Sequence, residues 1–543
     1  MLNKWRSIYF HPHTFPKPDI YHWILGLIIF GLAFFVRYQF VGKSPDFDEY
    51  YHLLAARSWA ENGTFTILEG EYTRGYFYTI LVGWFFSMFN ESIEIARLPS
   101  LLAGSLNVLV VFLFVSRNAG ITAALITSLF FIFDPVAVDL STQVRFYAIQ
   151  GLLFWIVAVL VFYSTHPAIS IHLRLGMILT ILPILALAAH LQRITLIGVT
   201  GFAVWIFIEH GKKIIGIVRH SLKTRTVWVV VIGLTFFSII YMFKGDIHDI
   251  WERYLSAPGW LQEKKHQTLY YPYQLLKQYP LFWSFFPIAV LLVIKSHKRI
   301  VVYCLVMFAT LLLLHSFAGS KHPRYFNYAL PFLFIIWGIF LAQIFRFFRD
   351  SLLEIIPVRT GAYRQVSINM VAIMLFSYSI LSLNVANYYQ MTKNFQKSLD
   401  SQGRWIYAEP LLKKLADQVD IVLVTASNRA IYHIGRYDYA ISPSQVRETE
   451  SEREFGRDPR SGRYAIGTVQ SIKLILDCTE SGLFVSAKNR WKNAIYGIDN
   501  EGVDILLENT NEVKIPDEWG LVIRSWKSQK NNHADKCKNL PVR

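Results

Sequence analysis

Three cysteines in 543 residues cannot build a disulfide scaffold: Cys304 lies inside an apolar run, and only Cys478 and Cys537 share the polar tail. Spacing alone leaves open whether those two pair, which an oxidising compartment would permit. Charge is sparse as well, at 17% of residues, and 54 Lys and Arg against 38 Asp and Glu leave a net +16. These cations are dispersed between apolar runs and form no polar basic stripe, so the surplus is not a nucleic-acid footprint. The polar tail has no Gly-rich phosphate loop and no metal-ligand spacing, and nowhere is there a convincing internal repeat. No small-residue cleavage site follows the first apolar run, about Ile20 to Val41, which stands behind Lys4, Arg6 and Lys17. That run is too long for a cleavable signal core and reads as an uncleaved signal-anchor.

What the chain has in abundance is apolar length, with 53% hydrophobic and 16% aromatic residues. Runs able to cross ~30 Å of hydrocarbon recur through the first 390 residues, as in a polytopic helical membrane protein. After the first run, spans are expected near 97–116, 120–138, 146–164, 175–190, 194–209, 226–243, 281–296, 300–317, 325–345 and 366–388, about eleven in all. Tyr76 to Phe89 is too short to cross and fits an interfacial helix, so the first external loop is expected to carry two surface helices, near 48–61 and 75–89. Short cytoplasmic loops should collect Lys and Arg. Three loops do so, with Lys212, Lys213, Arg219, Lys223 and Arg225; Lys295, Lys298 and Arg299; and Arg346, Arg349, Arg359 and Arg364. This count puts all three beside a cytoplasmic N-terminus and the C-terminus outside; a crossing at Tyr76–Phe89 would invert them.

Two external segments are long. Residues 244–280 mix charge with Trp251, Tyr254, Trp260, Tyr270, Tyr271 and Tyr273, which suits an aromatic belt or a mobile flap. From about Tyr388 the character is that of a soluble domain. A helix near 403–418 precedes a buried strand at Asp420–Thr425, with further strands at Gly482–Val485 and Trp519–Ile523. The Arg-, Glu- and Ser-dense segment 443–465 reads as a loop without a catalytic role. The expected division is a transmembrane domain over 1–390 and a small external α/β domain over 391–543.

The candidate chemistry begins at Ser44-Pro45-Asp46-Phe47-Asp48-Glu49-Tyr50-Tyr51-His52, where three carboxylates crowd into four positions at the membrane edge. Such a cluster repels itself and is costly to keep charged near hydrocarbon, which marks a functional site. A structural role is also available, since Asp46 and Glu49 fit a helix N-cap and its reciprocal partner, with Asn62-Gly63 as the stop. The triplet Asn62-Gly63-Thr64 is read as that stop and not as a glycosylation acceptor. The cap leaves Asp48 to face a substrate. At the same expected depth stand Arg74, Arg97, Arg145, Arg193, Lys321 and Arg324. Each alone could be snorkelling to the headgroups. Together they suit a phosphate, whose oxygens arginine grips bidentately.

The first-loop carboxylates, Arg97-Leu98-Pro99-Ser100, Arg145-Phe146-Tyr147, and Arg324-Tyr325 with Pro331 resemble the GT-C membrane glycosyltransferases, closest to the protein O-mannosyltransferases and the bacterial lipid A aminoarabinose transferase. The likeness is best over 20–165 and weaker over 310–345. It implies an acidic catalytic residue in the first external loop, in an Asp-Glu or Asp-x-Asp form, and both are present as Asp48-Glu49 and Asp46-Phe47-Asp48. Asp48 is then the base, with Asp46 or Glu49 orienting the acceptor, and Arg74, Arg97, Arg145, Tyr147, Arg193, Lys321 and Arg324 hold the donor phosphate. Where the aminoarabinose transferase has a lysine and a proline pair, this chain has Arg74-Gly75. Some relatives bind a divalent metal at the Asp-x-Asp element, so Asp46 and Asp48 are the candidate ligands for one. The implied activity is inverting transfer of a sugar from a polyprenyl-phosphate donor to a hydroxyl or amine of a glycan, lipid or protein outside a bacterial inner membrane. A transporter or flippase, or an O-antigen ligase or polymerase, also handles lipid-linked glycans and is the alternative.

Overall fold

The computed structural model describes residues 20–224, 252, 254–256, 262–355, 385–396, 404–442, 455–458, 460–493, 497–527, 537 and 540–541. The chain divides into two compact units, one of residues 1–37, 101–141 and 147–388, the other of 38–100, 142–146 and 389–543.

The first unit is helical. Among the described residues six helices are long and apolar enough to cross a membrane, Ile20–Tyr38, Ile93–Ala119, Tyr147–Ser164, Ile171–Leu191, Lys298–Phe317 and the segment Pro323–Ser351, and a bent pair, Ile121–Ile132 with Pro135–Ser141, makes up to seven. This is a multi-pass membrane protein. The 65° bend falls at Asp134-Pro135, where proline starts a new helix and the Asp134 carboxylate accepts the Ala137 N–H at 2.7 Å. Thr195–Gly211 is apolar but shorter. The span expected at 281–296 is broken into Pro280–Ser284 and Phe286–Val293. Pro280 and Pro287 each open a short helix, because the ring fits a first turn and breaks an interior. The expected spans at 226–243 and 366–388 lie outside the described residues, except for the last few of the second, as do Trp251, Trp260 and the cations Arg225, Arg359 and Arg364.

The second unit is built on a seven-stranded mixed sheet, in the order Phe455–Arg457, Tyr464–Ile466, Tyr439–Ile441, Ile421–Val424, Ser481–Ala487, Leu521–Lys527, Asn511–Glu512. The middle four strands are parallel and the outer pairings antiparallel. Alternation along Ile421–Val424 sends Leu423 to one core and Val422 and Val424 to the other. The segment expected as a loop at 443–465 therefore carries two strands, each only three residues long. Cys478 and Cys537 are bonded; Cys304 is buried and free.

One face of this sheet is covered by the loop between the first two long helices. Its two helices run Phe47–Asn62 and Tyr76–Met88, close to the expected bounds. Tyr51, Leu54, Ala55, Ile67 and Tyr72 share a core with Val422, Val424, Leu483 and Val485. The Phe47–Asn62 helix starts and stops as its sequence dictates. Asp46 and Glu49 form both halves of a capping box, and Gly63 closes the helix at φ +70, a left-handed conformation that glycine adopts without steric cost.

Candidate active site

The capping box turns the three carboxylates in different directions. Glu49 is 1% exposed and faces Arg97, which is 0% exposed, at 2.9 Å. It also accepts the backbone N–H of Asp46 at 2.8 Å and of Val144 at 2.7 Å. Arg97 gives its remaining terminal nitrogen to the Val41 and Lys43 carbonyls. Glu49, expected to orient an acceptor, and Arg97, expected to bind phosphate, are thus turned toward each other and the backbone. Every donor of Arg97 is engaged by protein, and together the two residues tie the 142–146 segment to the first loop. Asp46 is exposed, and its carboxylate bonds the Phe47 N–H at 2.7 Å; it is a cap.

Asp48, one position beyond Phe47 and on the open side of the helix, is 36% exposed and meets Arg145 at 2.6 Å. Arg145 is itself 3% exposed and reaches that carboxylate because Glu49 holds Val144 and the Ser100 hydroxyl bonds the Arg145 carbonyl at 2.9 Å. Arg74 and Arg145 each lie 5.7 Å from the Phe146 ring. Gly75 makes this approach possible. It sits at φ +62, and a Cβ there would stand 2.8 Å from Phe146. An aromatic floor continues from Phe146 through His52 at 5.7 Å and Tyr72 at 5.1 Å to Tyr51 at 5.0 Å, with the Arg460 guanidinium 4.6 Å over Tyr51.

The charges of Arg145, Arg74, Asp48 and Arg460 all act on the Tyr72 phenol, whose pKa burial raises. One carboxylate and three guanidiniums therefore border one aromatic patch. His52 adds no charge. Burial, helped by Arg145 and Arg74, holds its imidazole well below the ordinary 6.5, and Nδ1 bonds the Thr79 hydroxyl at 3.0 Å. His433, beneath the same helix, is also lowered, first by burial. It lies 2.9 Å from Glu409 through Nδ1 and 3.2 Å from the Tyr50 hydroxyl through Nε2. A neutral ring that donates to the carboxylate and accepts from the phenol satisfies both contacts.

These histidines set a pH dependence. Below about pH 6.5 the unfolded chain takes up two protons that the buried rings refuse, so stability present at pH 7.5 is lost on acidification, by up to about 1.4 kcal/mol per pH unit for each ring. The unfolding temperature of the second unit is expected to fall between pH 7.5 and pH 5.5, and His52→Gln to shallow that fall; a flat profile contradicts the assignment.

The remaining predicted phosphate ligands lie in the first unit. The Arg324 guanidinium stands 5.7 Å from the Tyr147 ring and 5.1 Å from Tyr325, and donates to the Tyr325 hydroxyl at 3.2 Å. Arg193 is exposed at a turn. Lys321 is not placed as expected. Its ammonium is buried and donates to the Lys265 carbonyl at 2.7 Å and the Ala318 carbonyl at 2.5 Å, where it ties two loops together.

Asp46 and Asp48 do not fit a divalent ion. One carboxylate caps a helix, the other has a guanidinium against it, and among the described residues no three His, Cys, Asp or Glu side chains come together as a ligand set. Sequence reasoning missed His52, Tyr72 and Arg460. His52 closes the acidic stretch and Tyr72 lies farther along the same loop, and the sign of Arg460 was the arginine density of 443–465.

No known family profile and no curated protein sequence matches the chain. Solved structures do. ArnT from Cupriavidus metallidurans bound to undecaprenyl phosphate matches with a TM-score of 0.56 and 13% identity over 93% of this chain and 97% of that one, and its apo state with 0.57. The archaeal oligosaccharyltransferase AglB from Archaeoglobus fulgidus, in complex with an inhibitory peptide and a dolichol-phosphate, matches with 0.51 and 10% identity over 95% and 75%. The chain has the GT-C fold.

Proposed function

We propose that the protein is an inverting glycosyltransferase that moves a sugar from a polyprenyl-phosphate donor to an acceptor hydroxyl or amine, at the external face of a bacterial inner membrane and with the C-terminal domain in the periplasm. The observation that carries this reading is the 2.6 Å Asp48–Arg145 pair, a third open on the carboxylate side and flanked by Arg74. Undecaprenyl phosphate and dolichol-phosphate in two structures of the same fold support the donor class.

In this reading Asp48 takes the acceptor proton as the acceptor oxygen or nitrogen attacks the anomeric carbon. The bond from that carbon to the phosphate oxygen breaks on the opposite side, so configuration inverts. The electron pair leaves on the lipid phosphate, where Arg145 and Arg74 stabilise the charge. Arg145 also holds the base in place through its 2.6 Å contact with the carboxylate. An arriving phosphate competes with the Asp48 carboxylate for that guanidinium. Glycan, lipid and protein acceptors all meet this chemistry.

The test is a detergent-purified protein given a polyprenyl-phosphate sugar and a pool of cell-envelope acceptors. Release of free polyprenyl phosphate with a glycoside of inverted anomeric configuration is expected. Movement of intact donor across vesicles without that release indicates a transporter instead.

A further inference from the structure

The hairpin between Phe455–Arg457 and Tyr464–Ile466 belongs to the C-terminal sheet, yet its tip is seated on the first external loop. The Glu69 N–H bonds the Ser461 carbonyl at 3.2 Å, and Arg463 pairs with Glu69 at 2.8 Å. Gly70 packs so closely that a Cβ would stand 2.4 Å from the Arg460 carbonyl carbon. Gly462, at φ +73, would bring a Cβ within 2.6 Å of Glu69. From behind, the Tyr437 hydroxyl meets the Ser461 hydroxyl at 2.6 Å, and Asp458 accepts the Arg460 N–H at 3.0 Å. The tip is held from both sides, by backbone contact in front and by side-chain hydrogen bonds behind, so the place of the Arg460 backbone is set by the fold.

That side chain lies flat over Tyr51 at 4.6 Å. It is 39% exposed, and its ion pair among the described residues is a long one, Nε to Asp458 at 3.5 Å. Among the described residues its two terminal nitrogens have no hydrogen-bond partner, in contrast to Arg97, whose donors are all engaged. Stacking holds a guanidinium in plane and leaves its fork available. The charges of Asp458 and Asp48 both act on it, which places it at the rim that Asp48, Arg74 and Arg145 define.

We propose that Arg460 is a third phosphate-binding cation of this site, supplied by the C-terminal domain, and that its terminal nitrogens grip oxygens of a phosphate ester beside Asp48. The proposal rests on the glycosyl-transfer reading and deepens it: the C-terminal domain completes the donor site. The Gly70 contact follows from the same logic, since a methyl group at Gly70 pushes the tip and Arg460 away together.

The experiment is direct binding of undecaprenyl phosphate, and separately of inorganic phosphate, to full-length protein in detergent, for wild type, Arg460→Ala, Arg460→Lys and Asp48→Asn. Arg460→Ala is expected to bind the lipid phosphate about ten- to a hundred-fold more weakly at an unchanged unfolding temperature. Arg460→Lys, which keeps the charge and loses the fork, should fall between. If only the lipid arm depends on Arg460, the guest is the carrier headgroup; if both arms do, the site reads phosphate itself. Should Arg460→Ala not fold, Arg460→Gln keeps the stem and decides in its place. Wild-type affinity in the Arg460 variants overturns the proposal while leaving glycosyl transfer standing. Failure of wild type and Asp48→Asn to bind either probe overturns the transfer reading itself.

Discussion

Asp48→Asn is expected to lower sugar transfer by about 10²- to 10⁴-fold, the usual contribution of a positioned general base, in a protein that still folds and inserts. The change keeps size and shape and removes basicity. It also removes the ion pair to Arg145, but that pair is a third open on the carboxylate side, so its loss costs little stability. Asp46→Asn is the control. Asparagine caps a helix about as well as aspartate, and position 46 is exposed and faces its own backbone. Transfer by Asp46→Asn should stay within a few-fold of wild type. An Asp48→Asn enzyme as active as the Asp46→Asn control would remove Asp48 from the mechanism.

Arg97→Met is expected to act through folding, by about 3–5 kcal/mol, the cost of leaving one member of a buried pair charged and alone. Glu49 would keep the Asp46 and Val144 N–H groups, which do not replace a guanidinium touching both carboxylate oxygens. The loss should appear as a lowered unfolding temperature or as poor recovery from membranes. The double variant Arg97→Met with Glu49→Met should recover much of it, because two well-packed apolar side chains can replace a buried pair. A single variant that unfolds at the wild-type temperature would show that the pair does not hold the 142–146 segment in place.

Much of this architecture could be read from residue order. The cap at Asp46 and Glu49 and the stop at Gly63 are local, so they were legible without a fold, and so was the first-loop helix that they bound. The acidic cluster and the surrounding arginines announced themselves as charge beside apolar runs. Their pairing did not. Arg97 and Arg145 look alike in sequence, each opening an apolar stretch, and both are buried, yet one faces a sealed carboxylate, Glu49, and the other a carboxylate a third open, Asp48. That difference arises from one residue step along the helix, which sends positions 48 and 49 about 100° apart. The strands at 455–457 and 464–466 are too short to show alternation. The break at Phe285 was masked by unbroken hydrophobicity although Pro280 and Pro287 marked it. Arg460 reaches its place only when two distant hairpins pack at Gly70, and no local pattern encodes such a contact.

Arg145 exchanging Asp48 for a phosphate is the step on which the functional account turns, and lipid-phosphate affinity reads it without knowledge of the sugar or the acceptor. With undecaprenyl phosphate and folded protein, Asp48→Asn is expected to bind at least as tightly as wild type, because the competing carboxylate is gone. Arg145→Ala is expected to bind at least about tenfold more weakly. Wild-type affinity in Arg145→Ala, together with weakened binding in Asp48→Asn, would contradict the account.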